Sequence, residues 1–406
     1  MICKGCSEDK VRKFLSLGKL PLGNAFMRED QLGAEELFDL DLGFCDNCTL
    51  VQQINPPPQS VLAEDYRNYH YVPYGDTLKN HYGDFGENLV KDLKITKDSF
   101  VVDIGSNDGT LLGSIKRTQN CKILGVEPAE QISEMARSAG IPTITGFFSD
   151  KISEQIRSEH GYADIISTTQ VLQHIPSLND FIANVSKTLK PKGMYVFEGR
   201  YFADTIEKTS FDTVYHEMIH FFTLRSLAYQ LQKHNLTPVY ARLVDIYGGS
   251  LRIYAQKFGG EVGDSIAAIN DYENRLALGE FTTYEKFADN VYSMKNQING
   301  FIYDLKSKGK TIAAYGAPST GTTLMNFCGI GRSQIDYIID DSPLKQGLFQ
   351  PGTHIPIFDS AVLDKNTPDY LLIIAWRLKK DILPKLDHLR KKGMKVIIPL
   401  PQIEVI

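Results

Sequence analysis

Two pairs of closely spaced cysteines near the N-terminus constrain this chain more than any other feature of its sequence. Cys3 and Cys6 form one pair, Cys45 and Cys48 form the other, and in each pair two residues separate the cysteines. This spacing lets both thiolates of a pair reach one tetrahedral metal ion, so two pairs supply the four ligands of a closed structural zinc site. Four thiolates leave no open position for a catalytic metal, and unmetallated thiols are the alternative. The pattern predicts a small zinc ribbon.

Composition and charge limit the partners of the protein. The chain has 406 residues, of which 42% are hydrophobic and 23% charged, and its formal net charge is -5. A domain that coats a phosphate backbone is normally basic, so we expect no nucleic-acid partner. The apolar runs are far shorter than the ~20 residues that span a bilayer, and the N-terminus lacks the apolar core of a signal peptide. We therefore expect a cytoplasmic protein with no membrane partner, whose oligomeric state the sequence leaves open.

A glycine-bearing turn follows the first strand of an α/β pattern. Residues 99–104 predict a buried strand, residues 105–109 a turn, and the next strand ends at Glu127 and Pro128. The turn lacks the G-x-G-x-x-G pattern of dinucleotide sites, and Glu127 is placed to accept hydrogen bonds from ribose hydroxyls. Together these features predict S-adenosylmethionine in a class I methyltransferase, the alternative being a plain strand–helix connection. The cofactor-binding candidates are Asp103, Gly105, Ser106, Asn107, Gly109, Glu127, Pro128, Gln170 and His174.

A second strand–turn–helix unit begins at residue 311. Its turn contains Gly316 and Ser319, and backbone amides at the start of the following helix suit a nucleotide diphosphate. The alternative for the glycine is close packing of helix on strand. Before the first unit, the tyrosine-rich stretch with Tyr69, Tyr71 and Tyr74 predicts a lid that faces the substrate, because packed cores seldom use so many hydroxyl groups.

The predicted fold class is α/β. A class I methyltransferase Rossmann-like domain is expected between an N-terminal zinc-binding module and a C-terminal second Rossmann-like α/β domain, since strands and helices alternate in both later parts. The expected division is 1–64, zinc-binding module; 65–258, S-adenosylmethionine-dependent methyltransferase domain; 259–308, helical connector; and 309–406, C-terminal Rossmann-like module, for which the family resemblance given next implies binding of a nucleotide-sugar.

Several segments together resemble one known family, the zinc-containing sugar C-methyltransferases of deoxysugar biosynthesis. Besides the cysteine pairs, the similar segments are 17–24, 102–109, 211–217, 248–252, 315–318, 343–347 and 351–357. The resemblance spans nearly the whole chain in the family's order. It implies methylation of the carbon next to the ketone of a nucleotide-linked 4-keto-deoxyhexose, through an enolate. The candidates for binding this substrate are Tyr69, Tyr71, Tyr74, Tyr247, Arg252, Gly316, Ser319, Lys345 and His354.

The sequence departs from the family where the general base is expected. The family's active-site segment reads Tyr-His-Glu-His, with the last histidine favoured as the base, and here Met218 takes that place. His220 follows two residues later, and in an extended segment positions 218 and 220 would point to the same face. The catalytic candidates are His220, Tyr215, His216 and Glu217. His216 in a structural role, His220 as a buried neutral side chain and His174 as a satisfied helix-end residue are the alternatives.

Two other departures concern the substrate pocket. Val72 and Pro73 stand where the family has paired serines, and Tyr247 stands where it usually has a histidine. Together with Met218, they suggest a substrate or reaction outside the common ketosugar pattern. An O- or N-methyltransferase acting on a nucleotide-linked or related small molecule is therefore one alternative function. A relative that binds a nucleotide-sugar without turning it over is the other.

Overall fold

The computed structural model describes residues 1–62 and 75–406, and Tyr69, Tyr71 and Tyr74 lie outside this range. Three β-sheets organise the described chain. No helix of the described residues is long and apolar enough to cross a membrane.

The first sheet belongs to the N-terminal module and contains one strand from elsewhere in the chain. Its strands, in the order β1-β2-β3-β9, are β1 (Val11–Leu20), β2 (Phe38–Cys45), β3 (Val51–Gln53) and β9 (His220–Phe221). All three pairings are antiparallel, and Val51 lies opposite Phe221. The sheet of the zinc module is therefore completed by β9, which lies far beyond β3 in the sequence.

The central sheet has seven strands in the order β10-β11-β8-β7-β4-β5-β6. Its strands are β4 (Phe100–Ile104), β5 (Lys122–Glu127), β6 (Thr143–Thr145), β7 (Ala163–Thr169), β8 (Leu189–Arg200), β10 (Leu236–Val244) and β11 (Ser250–Lys257). The strands from β4 to β8 pair in parallel, and β11 is antiparallel to both of its neighbours. All five residues of β4 are buried, as expected for the middle of a sheet covered on both faces. The strand order reverses between β4 and β7, where ligands of such sheets bind.

Helices cover this sheet and connect it to the next. They are α1 (Asp76–Asp92), α2 (Thr110–Thr118), α3 (Glu130–Ser138), α4 (Asp150–Glu159), α5 (Leu178–Thr188), α6 (Phe202–Glu207), α7 (Leu224–Gln232), α8 (Asp264–Arg275) and α9 (Phe281–Ser307). The long helix α9 packs against the zinc module, and the ring of its Tyr284 stacks 4.5 Å from that of Phe44 in β2. One hydrophobic core runs from Leu15 of β1 through α9 to Leu371 of the C-terminal sheet.

The C-terminal sheet has six strands in the order β14-β13-β12-β15-β16-β17. Its strands are β12 (Ile312–Tyr315), β13 (Ile338–Ile339), β14 (Ile357–Phe358), β15 (Tyr370–Ile373), β16 (Lys395–Ile398) and β17 (Glu404–Val405). Its helices are α10 (Ser319–Phe327), α11 (Ala361–Lys365), α12 (Lys379–Ile382) and α13 (Asp387–Arg390). All pairings are parallel except that of β17. The chain therefore carries two parallel sheets, each with a strand order that reverses next to its first strand.

Candidate active site

The four N-terminal cysteines converge on one point. The Sγ atoms of Cys3 and Cys48 are 3.5 Å apart, those of Cys6 and Cys45 are 3.6 Å apart, and all four lie within 4.8 Å of one another. Tetrahedral zinc with Zn–S bonds of about 2.3 Å holds its sulfur atoms about 3.8 Å apart. The cluster therefore fits the predicted structural zinc site, with all four positions filled by protein thiolates.

The turn after β4 forms a cradle for a ligand. Gly105 has φ +73°, and a Cβ atom there would lie 2.3 Å from Cγ2 of Val171, so the turn admits only glycine without rearrangement. Gly109, with φ +80°, starts helix α2. Below the turn, Ser167 donates a 2.6 Å hydrogen bond to Asp103, and burial raises the pKa of this carboxyl to about 7. The Oγ atom of Ser106 is buried and has no hydrogen-bond partner among the described residues.

Glu127 closes this cradle at the end of β5. Its carboxylate accepts the backbone amides of Asn107, at 3.1 Å, and Ala129, at 3.0 Å, and its side chain is nearly fully buried beside the half-buried Pro128. Burial raises the pKa of Glu127, whereas the two backbone hydrogen bonds lower it. Each carboxylate oxygen keeps a second lone pair for a ribose hydroxyl. The residues present thus fit S-adenosylmethionine.

Gln170 and His174 follow β7 at the same edge of the sheet. Gln170 has φ +56°, donates to Oγ of Ser250 at 3.2 Å and accepts from Gln173 at 3.1 Å. Nδ1 of His174 donates to the backbone carbonyl of Glu217 at 2.5 Å, and burial lowers its pKa to about 4. His174 is therefore a neutral imidazole at pH 7 whose proton is on Nδ1.

Both predicted catalytic histidines are buried, and each contacts a backbone carbonyl. Nε2 of His216 donates to the carbonyl of Phe38 at 3.0 Å, and burial lowers its pKa. Nε2 of His220 donates to the carbonyl of Ile175 at 3.0 Å, and burial lowers the pKa of this fully buried side chain to about 3. Both environments agree with the structural alternatives for these residues.

The expectation that positions 218 and 220 share a face is wrong. The amide of Met218 donates to the carbonyl of Tyr215 at 2.9 Å, and the extended strand β9 begins only at His220. Because the chain turns before the strand, Met218 lines a small cavity together with Phe221, whereas His220 packs beside Phe222. His220 therefore does not stand in for the missing histidine by pointing the same way.

Tyr215 and Glu217 are half-buried at a junction of the three parts of the chain. Asn24 of the N-terminal module donates to Glu217 at 3.4 Å and accepts a 2.6 Å hydrogen bond from Ser319 at the start of α10. The segment before Glu217 is also attached to the C-terminal sheet, because Asp212 accepts two hydrogen bonds from Arg377, at 2.7 and 2.8 Å. Both contacts hold the segment with the catalytic candidates against its neighbours.

Sequence analysis missed Arg200, the last residue of β8. Its guanidinium carbon lies 5.9 Å from the ring centre of Tyr215 and 6.0 Å from that of Tyr247, which itself has φ +54°. It lines the same small cavity as Met218. Its position directly after a predicted strand, at the edge where ligands of parallel sheets bind, was a signal that could have identified it.

Arg252 does not have the substrate-binding position that the sequence suggested. Its side chain is 1% exposed, and its Nε donates to Glu198 on the neighbouring strand at 2.6 Å. The guanidinium also stacks 3.3 Å from the ring centre of Phe85, and His81 contacts the other oxygen of Glu198 at 2.6 Å. A buried charge needs such a partner, so Arg252 and Glu198 form an ion pair inside the core between β8, β11 and α1.

A cavity of about 560 Å³ opens at the carboxyl ends of the C-terminal strands. Gly316, with φ +89°, and Lys345 both line it, as predicted candidates for the substrate site. Nζ of Lys345 donates to the carbonyl of Ala317 at 2.8 Å and lies 3.9 Å from Asp340. The carboxylate of Asp340 also lines the cavity and accepts the backbone amide of Ala317 at 2.7 Å. Asp340 directly follows the second strand of its unit, much as Glu127 ends β5, and sequence analysis did not use this signal.

Ser319 and His354 were also predicted to bind the substrate, but their side chains contact the N-terminal module. Ser319 is held by Asn24, and a Cβ atom on Gly23 would lie 2.8 Å from the Cβ of Ser319. His354 contacts the carboxylate of Glu35 at 2.5 Å. Neither side chain is among the described residues that line the cavity.

Comparison with known proteins matches all three parts of the chain. Residues 3–62 match a zinc binding domain, residues 79–241 a methyltransferase domain and residues 245–401 a C-methyltransferase C-terminal domain. The C-methyltransferase NovU of Streptomyces niveus is 31% identical over 407 residues, which cover 100% of this chain and 96% of NovU.

Two solved structures are less similar to this chain than NovU is. Magnesium protoporphyrin IX methyltransferase of Synechocystis, solved with bound SAH, is 11% identical; the match covers 49% of this chain and 100% of that one, with a TM-score of 0.39. The YcgJ protein of Bacillus subtilis is 12% identical; the match covers 45% of this chain and 100% of that one, with a TM-score of 0.35.

The zinc module, the methyltransferase fold and the C-terminal domain thus occur together in one known arrangement, as the sequence predicted. Both predicted ligands, S-adenosylmethionine and zinc, agree with the matched domains and with the cysteine cluster. The full-length similarity to NovU shows that this chain belongs to the zinc-containing C-methyltransferase family and is an S-adenosylmethionine-dependent methyltransferase.

Proposed function

We propose that this enzyme methylates the carbon next to the ketone of a nucleotide-linked 4-keto-deoxyhexose. The observation that carries the proposal is the C-terminal cavity, which pairs a carboxylate suited to a ribose with a cation suited to a phosphate. Full-length similarity to a C-methyltransferase supports carbon as the methylated atom.

The nucleotide is proposed to occupy the C-terminal cavity. Asp340 directly follows the second parallel strand of its sheet, a position from which an acidic residue accepts hydrogen bonds from ribose hydroxyls. Lys345 and Lys385 are the cations of the lining, and a lysine ammonium recognises phosphate as a point charge. The phosphates are proposed to lie on this side rather than at Ser319, since Asn24 of the N-terminal module contacts the start of α10.

The sugar is proposed to extend toward Tyr215 and Tyr247. Ala375 and Leu378 line the cavity, and Arg377, which lies between them in sequence, holds Asp212 three residues before Tyr215. A short stretch of chain thus separates the cavity wall from the catalytic candidates. Tyr69, Tyr71 and Tyr74 remain proposed as the lid over this path.

The proposed chemistry starts from the acidity that a ketone confers on its neighbouring C–H bond. A base of the protein removes this proton, and general-base catalysis typically contributes about 10²–10⁴-fold. Tyr215 and Glu217 are the favoured groups, since both are half-buried at the site, whereas His216 and His220 are buried and burial lowers the pKa of both. When S-adenosylmethionine is bound, it supplies the electrophilic methyl group. Asp103, Glu127 and the turn between β4 and α2 orient it.

O- or N-methylation is the second candidate, and one observation favours it. Met218 replaces the base expected from the family resemblance and cannot accept the proton, and His220 faces away from its cavity. A hydroxyl or amine substrate makes less demand on a strong base than a carbon acid does.

Product analysis separates the two candidates. The enzyme is incubated with a nucleoside-diphosphate 4-keto-6-deoxyhexose and S-adenosylmethionine labelled with carbon-13 in its methyl group, and the product is examined by NMR. We expect a labelled methyl group bonded to a ring carbon. A labelled methyl ether or methylamine, or turnover only with substrates that lack the ketone, would contradict the proposal.

A further inference from the structure

Arg200 lies beside the catalytic candidates and has a buried donor atom without an acceptor among the described residues. Arg200 ends β8 at the carboxyl edge of the central sheet, the edge that also holds Gly105 and Gln170. Its guanidinium lies about equally far from the rings of Tyr215 and Tyr247. Its Nη1 atom is buried and has no hydrogen-bond partner among residues 1–62 and 75–406. The two N–H groups of Nη1 therefore have no acceptor among these residues, although the guanidinium lies beside the rings of Tyr215 and Tyr247.

The nearby carboxylates are already neutralised by other cations. Asp212 makes a two-pronged ion pair with Arg377 and also accepts from the indole of Trp376 at 2.9 Å. Glu198, two residues before Arg200, is shared by Arg252 and His81. Within the described part of the chain, no carboxylate lies within 4.0 Å of the Arg200 guanidinium. Arginine stays protonated in proteins, so its positive charge has no counter-charge within this distance among the described residues.

The side chains that line the cavity beside Arg200 offer few hydrogen-bond acceptors for its guanidinium. The lining includes Phe202, Phe221 and Met218, whose thioether is a weak acceptor, and the hydroxyls of Thr205 and Thr213 lie 3.3 Å from each other. A donor in such a setting prefers a ligand oxygen that carries, or acquires, negative charge.

We propose that Arg200 is a catalytic residue that holds the ketone oxygen of the substrate and stabilises the enolate formed there. This inference rests on the proposed ketosugar function and adds the group that stabilises the anion. When the α C–H bond breaks, its proton passes to the base of the site and its electron pair forms a carbon–carbon double bond. The carbonyl π pair moves onto the oxygen, where Nη1 of Arg200 donates. The developing charge thus meets a donor already in position.

Such a donor acts on the reaction more than on binding. A positioned donor aimed at a developing oxyanion typically contributes about 10²–10³-fold to the rate. It also reduces the demand on the base, because a stabilised enolate corresponds to a more acidic carbon. Arg200 would therefore allow a weaker base to serve where Met218 occupies the expected base position.

The test is exchange of solvent deuterium into the ketosugar without S-adenosylmethionine. We compare the wild type with Arg200→Gln, Arg200→Lys and a control, Arg242→Gln. Arg242 is a half-buried arginine on β10 whose Nε also lacks a partner among the described residues, and it does not line this cavity. We expect exchange and methylation to fall about 10²–10³-fold in Arg200→Gln, less in Arg200→Lys, and to stay within about twofold of wild type in Arg242→Gln.

Calorimetry with S-adenosylhomocysteine accompanies every variant. Unchanged affinity in Arg200→Lys and Arg200→Gln supports the proposal, because it shows that the cofactor site is intact while exchange is lost. Exchange at the wild-type rate in Arg200→Gln overturns the role of Arg200 and leaves the ketosugar function standing. Loss of S-adenosylhomocysteine binding in both Arg200 variants also overturns it, as a structural role. Absence of exchange in the wild type, with methylation of a hydroxyl or amine, instead refutes the ketosugar function itself.

Discussion

The central and C-terminal sheets hold their acidic residues in the same way. In the central sheet, Glu127 at the end of β5 accepts the amide of Asn107 in the preceding turn and the amide of Ala129 two residues on. The first contact ties the carboxylate to the turn that follows β4, and the second ties it to the segment that follows β5. A side chain held by two backbone amides is preorganised for a ligand hydroxyl.

Asp340 repeats this arrangement in the C-terminal sheet. It follows β13 and accepts the amide of Ala317 in the turn after β12, at 2.7 Å, and the amide of Ser342 two residues on, at 2.9 Å. The difference lies in what surrounds the two carboxylates. Lys345 lies 3.9 Å from Asp340, and the N-terminal module packs on the following helix through Gly23. We propose that this arrangement of the carboxylate serves the ribose of the cofactor in the central unit and the ribose of a nucleotide in the C-terminal unit.

Removing zinc should have the largest effect of the four changes. The zinc module carries Gly23, through which it packs on helix α10 of the C-terminal unit. Apparent binding energies of structural zinc in finger peptides are about 10–16 kcal/mol, so a metal-free N-terminal module should unfold. We expect metal analysis to give one zinc per chain, and chelation or Cys45→Ser to lower the melting temperature and abolish methyl transfer. Cys121→Ala, outside the cluster, is the control and should retain the metal. A metal-free chain that is folded and active would contradict this prediction.

Glu127→Gln should weaken cofactor binding in the central unit alone. Hydrogen bonds to a charged group contribute about 1.5–3 kcal/mol, so we expect calorimetry to show about 10–100-fold weaker binding of S-adenosylhomocysteine. Binding of a nucleoside diphosphate should not change. The control is Glu130→Gln, a neighbouring carboxylate whose side chain is 66% exposed. Unchanged affinity in Glu127→Gln would remove Glu127 from the cofactor site.

Gly23→Ala tests whether the N-terminal module packs closely on the start of helix α10 in the C-terminal unit. The added Cβ would lie 2.8 Å from the Cβ of Ser319, and relieving such overpacking costs about 1–3 kcal/mol. We expect a lower free energy of unfolding in denaturant titration. Gly300→Ala is the control, since Gly300 is exposed in α9 with nothing within 4 Å, and alanine should stabilise the helix by about 0.5–1 kcal/mol. Equal stability of wild type and Gly23→Ala would show that the loop is not held as described.

Asp340→Asn should have the smallest effect, since one oxygen acceptor remains. We expect nucleoside diphosphate affinity to fall about 3–10-fold, corresponding to the 0.5–1.5 kcal/mol of an ordinary hydrogen bond, and S-adenosylhomocysteine affinity to stay the same. The control is Asp359→Asn, a change at an exposed residue that directly follows β14 of the same sheet. If Asp340→Asn weakened cofactor binding instead, the assignment of the two sites to their ligands would have to be reversed.

Features that depend on neighbouring residues in the chain could be predicted from sequence. The cysteine pairs, the turn at Gly105 and the strand ending at Glu127 all follow from short-range geometry, and the structure and the matched domains agree with them. Asp340 belongs to the same class, because its position after a strand was visible although it was not used.

Features that depend on distant partners could not be predicted. Arg252 was expected at the substrate and instead pairs with Glu198, 54 residues away, and Ser319 meets Asn24, 295 residues away. Likewise, His220 enters the sheet of the zinc module, which removes it from the face of Met218.

The sequence by itself thus determined the two ligand types and the order of the three parts. Only the tertiary structure decided which charged side chains are neutralised inside the protein and which, like Arg200, remain available. The physical reason is that a buried charge takes whichever counter-charge the packing of remote elements brings within reach, and local patterns carry no record of that packing.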